Sequence, residues 1–264
     1  MERRLVPSPV AAHSGARAAG AWAARLPRLA AGRQCKLEGM AILRLENVSK
    51  EYRAERDTVR ALDRVSLDVG EGEFVSLVGR SGCGKSTLLN LAGAMDFPTS
   101  GRVFLDGTET SRLDDAALTA VRRTKIGFVF QFFQLLPTLS VIENVELPLL
   151  LQGNTNGRGV ALERLRWVEM EGFADRLAHQ LSGGQMQRAA IARALVTAPR
   201  LILADEPIGN LDSASAGIVM QLLRRASSEL ATTILMATHS QEAAAVSDTI
   251  VRLRDGQVEE ISRN

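Results

Sequence analysis

The segment FVSLVGRSGCGKSTLLNLAGA, Phe74 to Ala94, constrains the fold of this chain more than any other. Phe74–Val78 is a short apolar run of strand length, and an apolar helix pattern covers Lys85–Ala94. Between them lies the glycine-rich stretch GRSGCGKST. Strand, glycine loop and helix in this order make the setting of a phosphate-binding loop. Gly79, Gly82 and Gly84 let backbone N–H groups face a β-phosphate without a Cβ in the way. Arg80, Ser81 and Cys83 complete the loop. Lys85 can reach the β- and γ-phosphates, the Ser86 hydroxyl can ligate Mg²⁺, and Thr87 can donate toward the α-phosphate. A loop of this kind commits the chain to an α/β core with parallel strands.

A second run, LSGGQMQRAAIARALVTAPRLILADEP, spans Leu181–Pro207. Ser182, Gly183, Gly184 and Gln185 open a strongly patterned helix, Gly184–Val196. A backbone nest ahead of a helix N-terminus gathers unpaired N–H groups and the positive end of the dipole, which suits an anion. The apolar strand Leu201–Ala204 then delivers Asp205 and Glu206 at its C-terminal end. Asp205 is placed to hold Mg²⁺ and Glu206 to polarise an attacking water.

Strand patterns recur at Ile42–Leu45, Val65–Val69, Arg102–Leu105, Ile126–Phe130, Thr233–Ala237 and Thr249–Leu253, with Asp106-Gly107 and Asp255-Gly256 as hairpin or turn signals. Helical patterns fall at Asp114–Arg123, Val141–Leu151, Val160–Glu171, Ala214–Leu230 and Gln241–Val246. Turn-rich early strands followed by βα units predict an N-terminal antiparallel β part, a parallel core and, between Gln131 and Val196, an inserted helical subdomain with a loop at Gly153–Gly159. Residues 40–264 are read as one domain.

These runs resemble the ATP-binding-cassette (ABC) ATPases, and the resemblance covers about residues 42–260. It implies a P-loop NTPase core of the ABC type, ATP and Mg²⁺ as cofactors, and a signature, Ser182–Gln185, that closes over the nucleotide of a partner subunit. Two sites per head-to-tail homodimer follow by symmetry. It further implies that His239, after the strand TTILMAT, contacts the γ-phosphate. Gln131, after IGFVF, would touch the metal or the water and sense the helical subdomain. Tyr52 would stack on adenine, and Asp212 in GNLDS would lie in the loop that crosses between subunits. Phe132 and Phe133 suit core packing and docking to a permease helix equally well. At finer grain, FVFQFFQLLPTLSVIENVELPLLL and ADEPIGNLDS resemble the lipoprotein-releasing, macrolide-export and cell-division ATPases. These act peripherally at the cytoplasmic face of the inner membrane with transmembrane permease subunits. The alternative within that group is a cell-division ATPase that signals across the membrane without transport.

Three departures from the family pattern stand out. Met186 and Ile208 replace residues that are usually polar, and ADRLAHQ lacks a proline and a few residues ahead of the signature, an approach that could shift the signature helix.

Composition narrows the partners. Aromatic residues are 4% of the chain, too few for a platform that stacks single-stranded nucleic acid. Residues 1–39 carry seven Lys and Arg against two Glu, so the formal charge of +2 conceals a mildly acidic remainder of −3. No nucleic-acid partner is expected, which sets aside the soluble ABC ATPases of DNA repair and translation. Three readings of residues 1–39 stay open: a misassigned start with initiation at Met40, a disordered extension, or an Arg-rich targeting segment. Two cysteines, Cys35 and Cys83, make no disulfide framework. Cys83, inside the phosphate loop beside Lys85, is expected to react with alkylating reagents and to be protected by MgATP.

Overall fold

The computed structural model describes residues 41–53 and 58–264. The readings of residues 1–39 lie outside the described residues. Two sheets form the body. In the first, β1 (Leu43–Arg53) pairs antiparallel with β2 (Thr58–Val69) and with β4 (Ser100–Leu105), and the two-residue β5 (Thr108–Glu109) closes the far edge. The turn between β4 and β5 is Asp106-Gly107, both with positive φ (49° and 74°), as a tight hairpin requires.

The second sheet holds β3 (Phe74–Val78), β6 (Ile126–Phe130), β7 (Leu201–Asp205), β8 (Thr233–Thr238), β9 (Thr249–Arg254) and β10 (Gln257–Arg263), in the spatial order β10-β9-β3-β8-β7-β6. All neighbours are parallel except β10, which folds back antiparallel on β9. Strands β3, β7 and β8 are largely apolar and buried on both faces because helices or the first sheet cover them. One apolar core fills the space between this sheet and the helices that follow β6 and β7; a second lies between the two sheets and the helix after β3.

The helices are α1 (Lys85–Ala92), α2 (Asp115–Lys125), α3 (Val141–Leu151), α4 (Arg158–Trp167), α5 (Gly183–Leu195), α6 (Ser213–Leu230) and the single turn α7 (Gln241–Ala244). Helices α3, α4 and α5 lie between β6 and β7 in the chain, the inserted helical part that the sequence predicts. Helix α3 starts at Ser140, which closes a complete capping box with Glu143. One expectation is corrected here. The pattern Val160–Glu171 is not one helix: α4 ends at Trp167, and Glu169, at φ 59°, turns the chain so that Met170 is fully buried before a 3₁₀ turn at Glu171–Phe173. Burying Met170 outweighs the left-handed conformation at Glu169.

Strand register sets up the site. Val78 pairs with Thr238, Phe130 with Asp205, and Asp205 with Ala237, so β3, β6, β7 and β8 end in one row. The residues that follow, Gly79, Gln131, Glu206 and His239, therefore leave the sheet side by side. Ligands of open α/β sheets bind at such carboxyl ends.

Candidate functional site

At the end of β3 the chain enters its loop, and α1 begins at Lys85 behind Gly84. Gly84 has φ 105°, and a Cβ there would lie 2.5 Å from the Ala61 carbonyl oxygen of β2. No other residue fits, so the loop is pressed against the first sheet at this point. The Lys85 ammonium is nearly buried and donates to the carbonyls of Gly79 (2.8 Å) and Arg80 (3.2 Å), folding back over the loop that it closes.

An open cleft of about 420 Å³ faces this loop. It is lined by Ser81, Gly82, Gly84, Lys85, Ser86 and Thr87, and by Gln131, Asp205, Glu206 and His239 from the other strand ends. Four segments far apart in sequence thus converge on one space. The Ser86 hydroxyl stands beside the Asp205 carboxylate. Burial raises the pKa of Asp205 above the ordinary carboxylate value and the Glu206 charge adds to the rise, against the opposing pull of Ser86 and Lys85. A desolvated carboxylate beside a second acid and a hydroxyl suits a hard cation that carries most of its ligands with it. Among the described residues no cluster of three or more His, Cys, Asp or Glu forms a standing metal cage. Ser86, Asp205 and Gln131 are the side chains here that could hold Mg²⁺ arriving on phosphates.

Glu206 leaves β7 at φ 46°, a conformation that its Cβ disfavours. Its amide donates to the Ala237 carbonyl of β8 (3.0 Å), which anchors the turn. The carboxylate then lies 2.9 Å from His239 Nδ1 and accepts from the His239 backbone N–H (3.3 Å). His239 itself is largely exposed, while the Glu206 side chain is mostly buried. The base candidate is thus held by the end of β8, and the imidazole projects into the open part of the cleft.

Gln131 faces Asn210: its Nε2 donates to Asn210 Oδ1 (3.5 Å), and Asn210 Nδ2 donates back to the Gln131 carbonyl (3.2 Å). After it the chain turns through Phe133 and Gln134, both at positive φ. Arg193 of α5 donates to both carbonyls of that turn, at 2.9 Å for Phe133. Phe132 points outward with 69% of its surface exposed, and Phe133 is half-buried.

Sequence reasoning passed over Gln187. Its side chain is completely buried in α5, and Nε2 donates to the carbonyls of Pro207 (2.6 Å) and Phe130 (3.3 Å). One amide thus ties α5 to the residue before Gln131 and to the residue after Glu206. The available signal was a polar residue on the apolar face of a helix, in phase with Ala190, Ile191 and Ala194.

Ser182 caps α5, accepting from Gln185 N–H (3.3 Å), while Gln185 Oε1 accepts from Ser182 N–H (2.9 Å). The short approach does not disturb this start: a 3₁₀ turn at Ala178–Gln180 leads into it, with Gln180 Oε1 accepting from Leu177 N–H. Met186 and Ile208 pack partly buried against the helical core, which accounts for apolar side chains there. Asp212 caps α6, accepting from the backbone and the hydroxyl of Ser215, and these bonds lower its pKa. Gly184 lies so close to Ser215 that a Cβ would sit 2.5 Å from its hydroxyl. The signature and the GNLDS loop are therefore packed together. Neither Ser182–Gln185 nor Asp212 lines the cleft in front of this chain's own phosphate loop.

Tyr52, near the end of β1, stands beside Thr87, with its hydroxyl donating to Asp96 (3.0 Å). Cys83 needs a correction. It is 6% exposed and packs with the second apolar core, its Sγ occupying the space that a Gly79 Cβ would need. At that burial it acts here as a small apolar residue rather than as a freely exposed thiol.

The cleft, the row of strand ends and the capped signature helix are the parts of a nucleoside-triphosphatase cassette. The ABC transporter family model matches residues 62–209, and the chain belongs to the ATP-binding proteins of that family. It is 48% identical over 224 residues to an uncharacterized ABC transporter ATP-binding protein of Methanocaldococcus jannaschii, MJ0796, covering 83% of this chain and 95% of that protein. It is 44% identical to the lipoprotein-releasing system ATP-binding protein LolD of Geobacter metallireducens, covering 83% of this chain and 98% of that one. A dimeric post-hydrolysis structure of MJ0796 bound to ADP and phosphate superposes with a TM-score of 0.77 at 46% identity, over 84% of this chain and 98% of the other. The chain is an ABC ATPase cassette, and among its described residues no helix is long and apolar enough to cross a membrane.

Proposed function

We propose that this cassette hydrolyses MgATP as a head-to-tail homodimer and drives a separate transmembrane permease of the lipoprotein-release or macrolide-export type from the cytoplasmic face of the inner membrane. The observation that carries the reading is the division of parts. Phosphate loop, metal-side acid, base and histidine share one cleft, while Ser182–Gln185, the capped start of α5, stand outside it. A glycine-rich helix start without a lysine is half of an anion site, and the other half is the phosphate loop of a second copy. That the MJ0796 cassette is dimeric with ADP and phosphate bound supports a homodimer.

In the proposed cycle, the backbone N–H groups of Gly79–Thr87 cradle the phosphates. The Lys85 ammonium moves from the loop carbonyls to the β- and γ-phosphate oxygens. Ser86, Asp205 and Gln131 would hold Mg²⁺, which supplies charge neutralisation between the phosphates. Glu206 accepts the proton of the attacking water, and His239, held at Glu206, orients toward the γ-phosphate. Tyr52 stacks on the base. Asp212 and the signature close the partner's site.

Replacing Glu206 with Gln keeps the shape and removes the base. With MgATP, Glu206→Gln is expected to run as a stable dimer in size-exclusion chromatography with light scattering, with turnover down about 100-fold or more. Undiminished turnover would refute the role of Glu206.

A further inference from the structure

Lys50 is an unusual lysine for a strand near the protein surface. Its side chain is 12% exposed, and its ammonium has two hydrogen-bond acceptors and an aromatic face around it. One meets Asp96 Oδ1 at 2.5 Å and one the Phe97 carbonyl at 2.8 Å. The ammonium itself lies 4.9 Å from the centroid of the Tyr52 ring, within cation–π range. Asp96 completes the arrangement from the other side. Its Oδ2 accepts from the Tyr52 hydroxyl (3.0 Å) and its Oδ1 also accepts from Phe97 N–H (2.7 Å). Burial would raise the pKa of Asp96, but the hydrogen bonds from Lys50, Phe97 and Tyr52 outweigh it and hold the carboxyl below its ordinary value.

The ring of Tyr52 is therefore fixed at two points. The ammonium covers one face, and the phenolic oxygen is tied to the segment that follows α1, the helix that the phosphate loop opens. Segment and strand are stitched further by Thr99, whose backbone N–H donates to the Ser49 carbonyl and whose hydroxyl accepts from Glu51 N–H. Even so, 41% of the tyrosine surface stays open to solvent. An aromatic ring backed by a cation and anchored at its hydroxyl has one face left for a flat partner, and little ring entropy to lose when that partner arrives.

We infer that Lys50 and Asp96 are positioning residues for the nucleotide base: together they hold Tyr52 as a one-sided stacking platform at a fixed distance from the phosphate loop. The inference rests on the reading that Tyr52 stacks the base. A platform of this kind acts on the base and leaves the triphosphate alone, which separates it from a general structural role.

The test compares MgATP with magnesium tripolyphosphate, which lacks base and ribose, by isothermal titration on the full chain. Lys50→Met keeps the apolar stem and removes the charge. It is expected to weaken MgATP about 3- to 10-fold, with tripolyphosphate affinity unchanged within about twofold. KM for ATP should rise by the same factor while kcat holds, and Lys50→Arg should restore most of the affinity. Asp96→Asn should act in the same direction and serves if Lys50→Met folds poorly. If Tyr52→Ala lowers MgATP affinity but Lys50→Met and Asp96→Asn do not, the positioning role is overturned and the stacking reading stands. Equal losses for both ligands would overturn it as well, by pointing to a general structural defect. If Tyr52→Ala leaves the ratio of the two affinities unchanged, the stacking reading itself fails.

Discussion

Asp205 and Glu206 are neighbours in the chain and strangers in environment. Asp205 ends β7 inside the sheet, desolvated and beside another acid, so its pKa is raised. Glu206 has turned out of the strand at positive φ to meet His239. The raised pKa has a consequence for stability. Between the unfolded value near 3.8 and the higher folded value, the folded state binds more protons than the unfolded one. Stability contributed by this group is thus fully present below that window and falls as pH rises through it. The burial that raises this pKa disfavours the charged form of Asp205 in the folded chain. Asp205→Asn should therefore raise the Tm of the nucleotide-free protein at pH 7 by on the order of 2–4 °C, with a smaller gain at pH 4, while abolishing Mg²⁺-dependent hydrolysis. Thermal melts at the two pH values decide it; a variant that is less stable at pH 7 would contradict the account. The acidic pair could be found in the sequence because an apolar strand delivers it. The split in environment could not, because it depends on Ser86 and Lys85 from a loop more than a hundred residues away.

Among the elements, α5 has the widest reach. Its first turn is the signature, Arg193 fixes the turn after Gln131, and Gln187 clamps the carbonyls of Phe130 and Pro207. One helix is thereby tied to the backbone beside Gln131 and beside Glu206. Gln187→Met fills similar space and leaves both carbonyls without that donor. We expect a stability loss of about 1 kcal/mol and a roughly tenfold lower kcat with little change in ATP affinity, read by denaturant melts, steady-state ATPase assay and nucleotide titration. Unchanged kcat would show that the clamp is dispensable. Elements bounded by strong local signals matched their sequence patterns to the residue: β3 and β6 as apolar runs, and α3 from its Ser140 cap to Leu151. Those without such signals did not. β1 runs well past its apolar start and β2 begins well before its apolar end, the two forming a polar ribbon held by cross-strand pairing, and β10 is an exposed edge strand whose sequence, QVEEISR, carries no apolar face. Likewise Gln187 contacts groups 20 and 57 residues away, and no local pattern encodes that.

For the whole molecule, the central fact is an asymmetry of placement. The cleft gathers Gly79–Thr87, Gln131, Asp205, Glu206 and His239, whereas the signature and Asp212 are packed on each other outside it. On the proposed reading each chain would carry one half of two sites, and both runs were legible in the sequence because each is contiguous. The resemblance already implies that the signature serves a partner's nucleotide; what no local pattern encodes is the packing of Gly184 on Ser215 that holds it there. A mixing experiment addresses the shared site directly. One variant, Lys85→Ala, loses the phosphate loop and keeps the signature; the other, Ser182→Arg, blocks the signature and keeps the loop. Each is expected to be inactive alone. Mixed one to one, half of the dimers hold one intact composite site, and ATPase activity should return to about a quarter of wild type. A mixture no more active than the two variants measured separately would contradict the shared site.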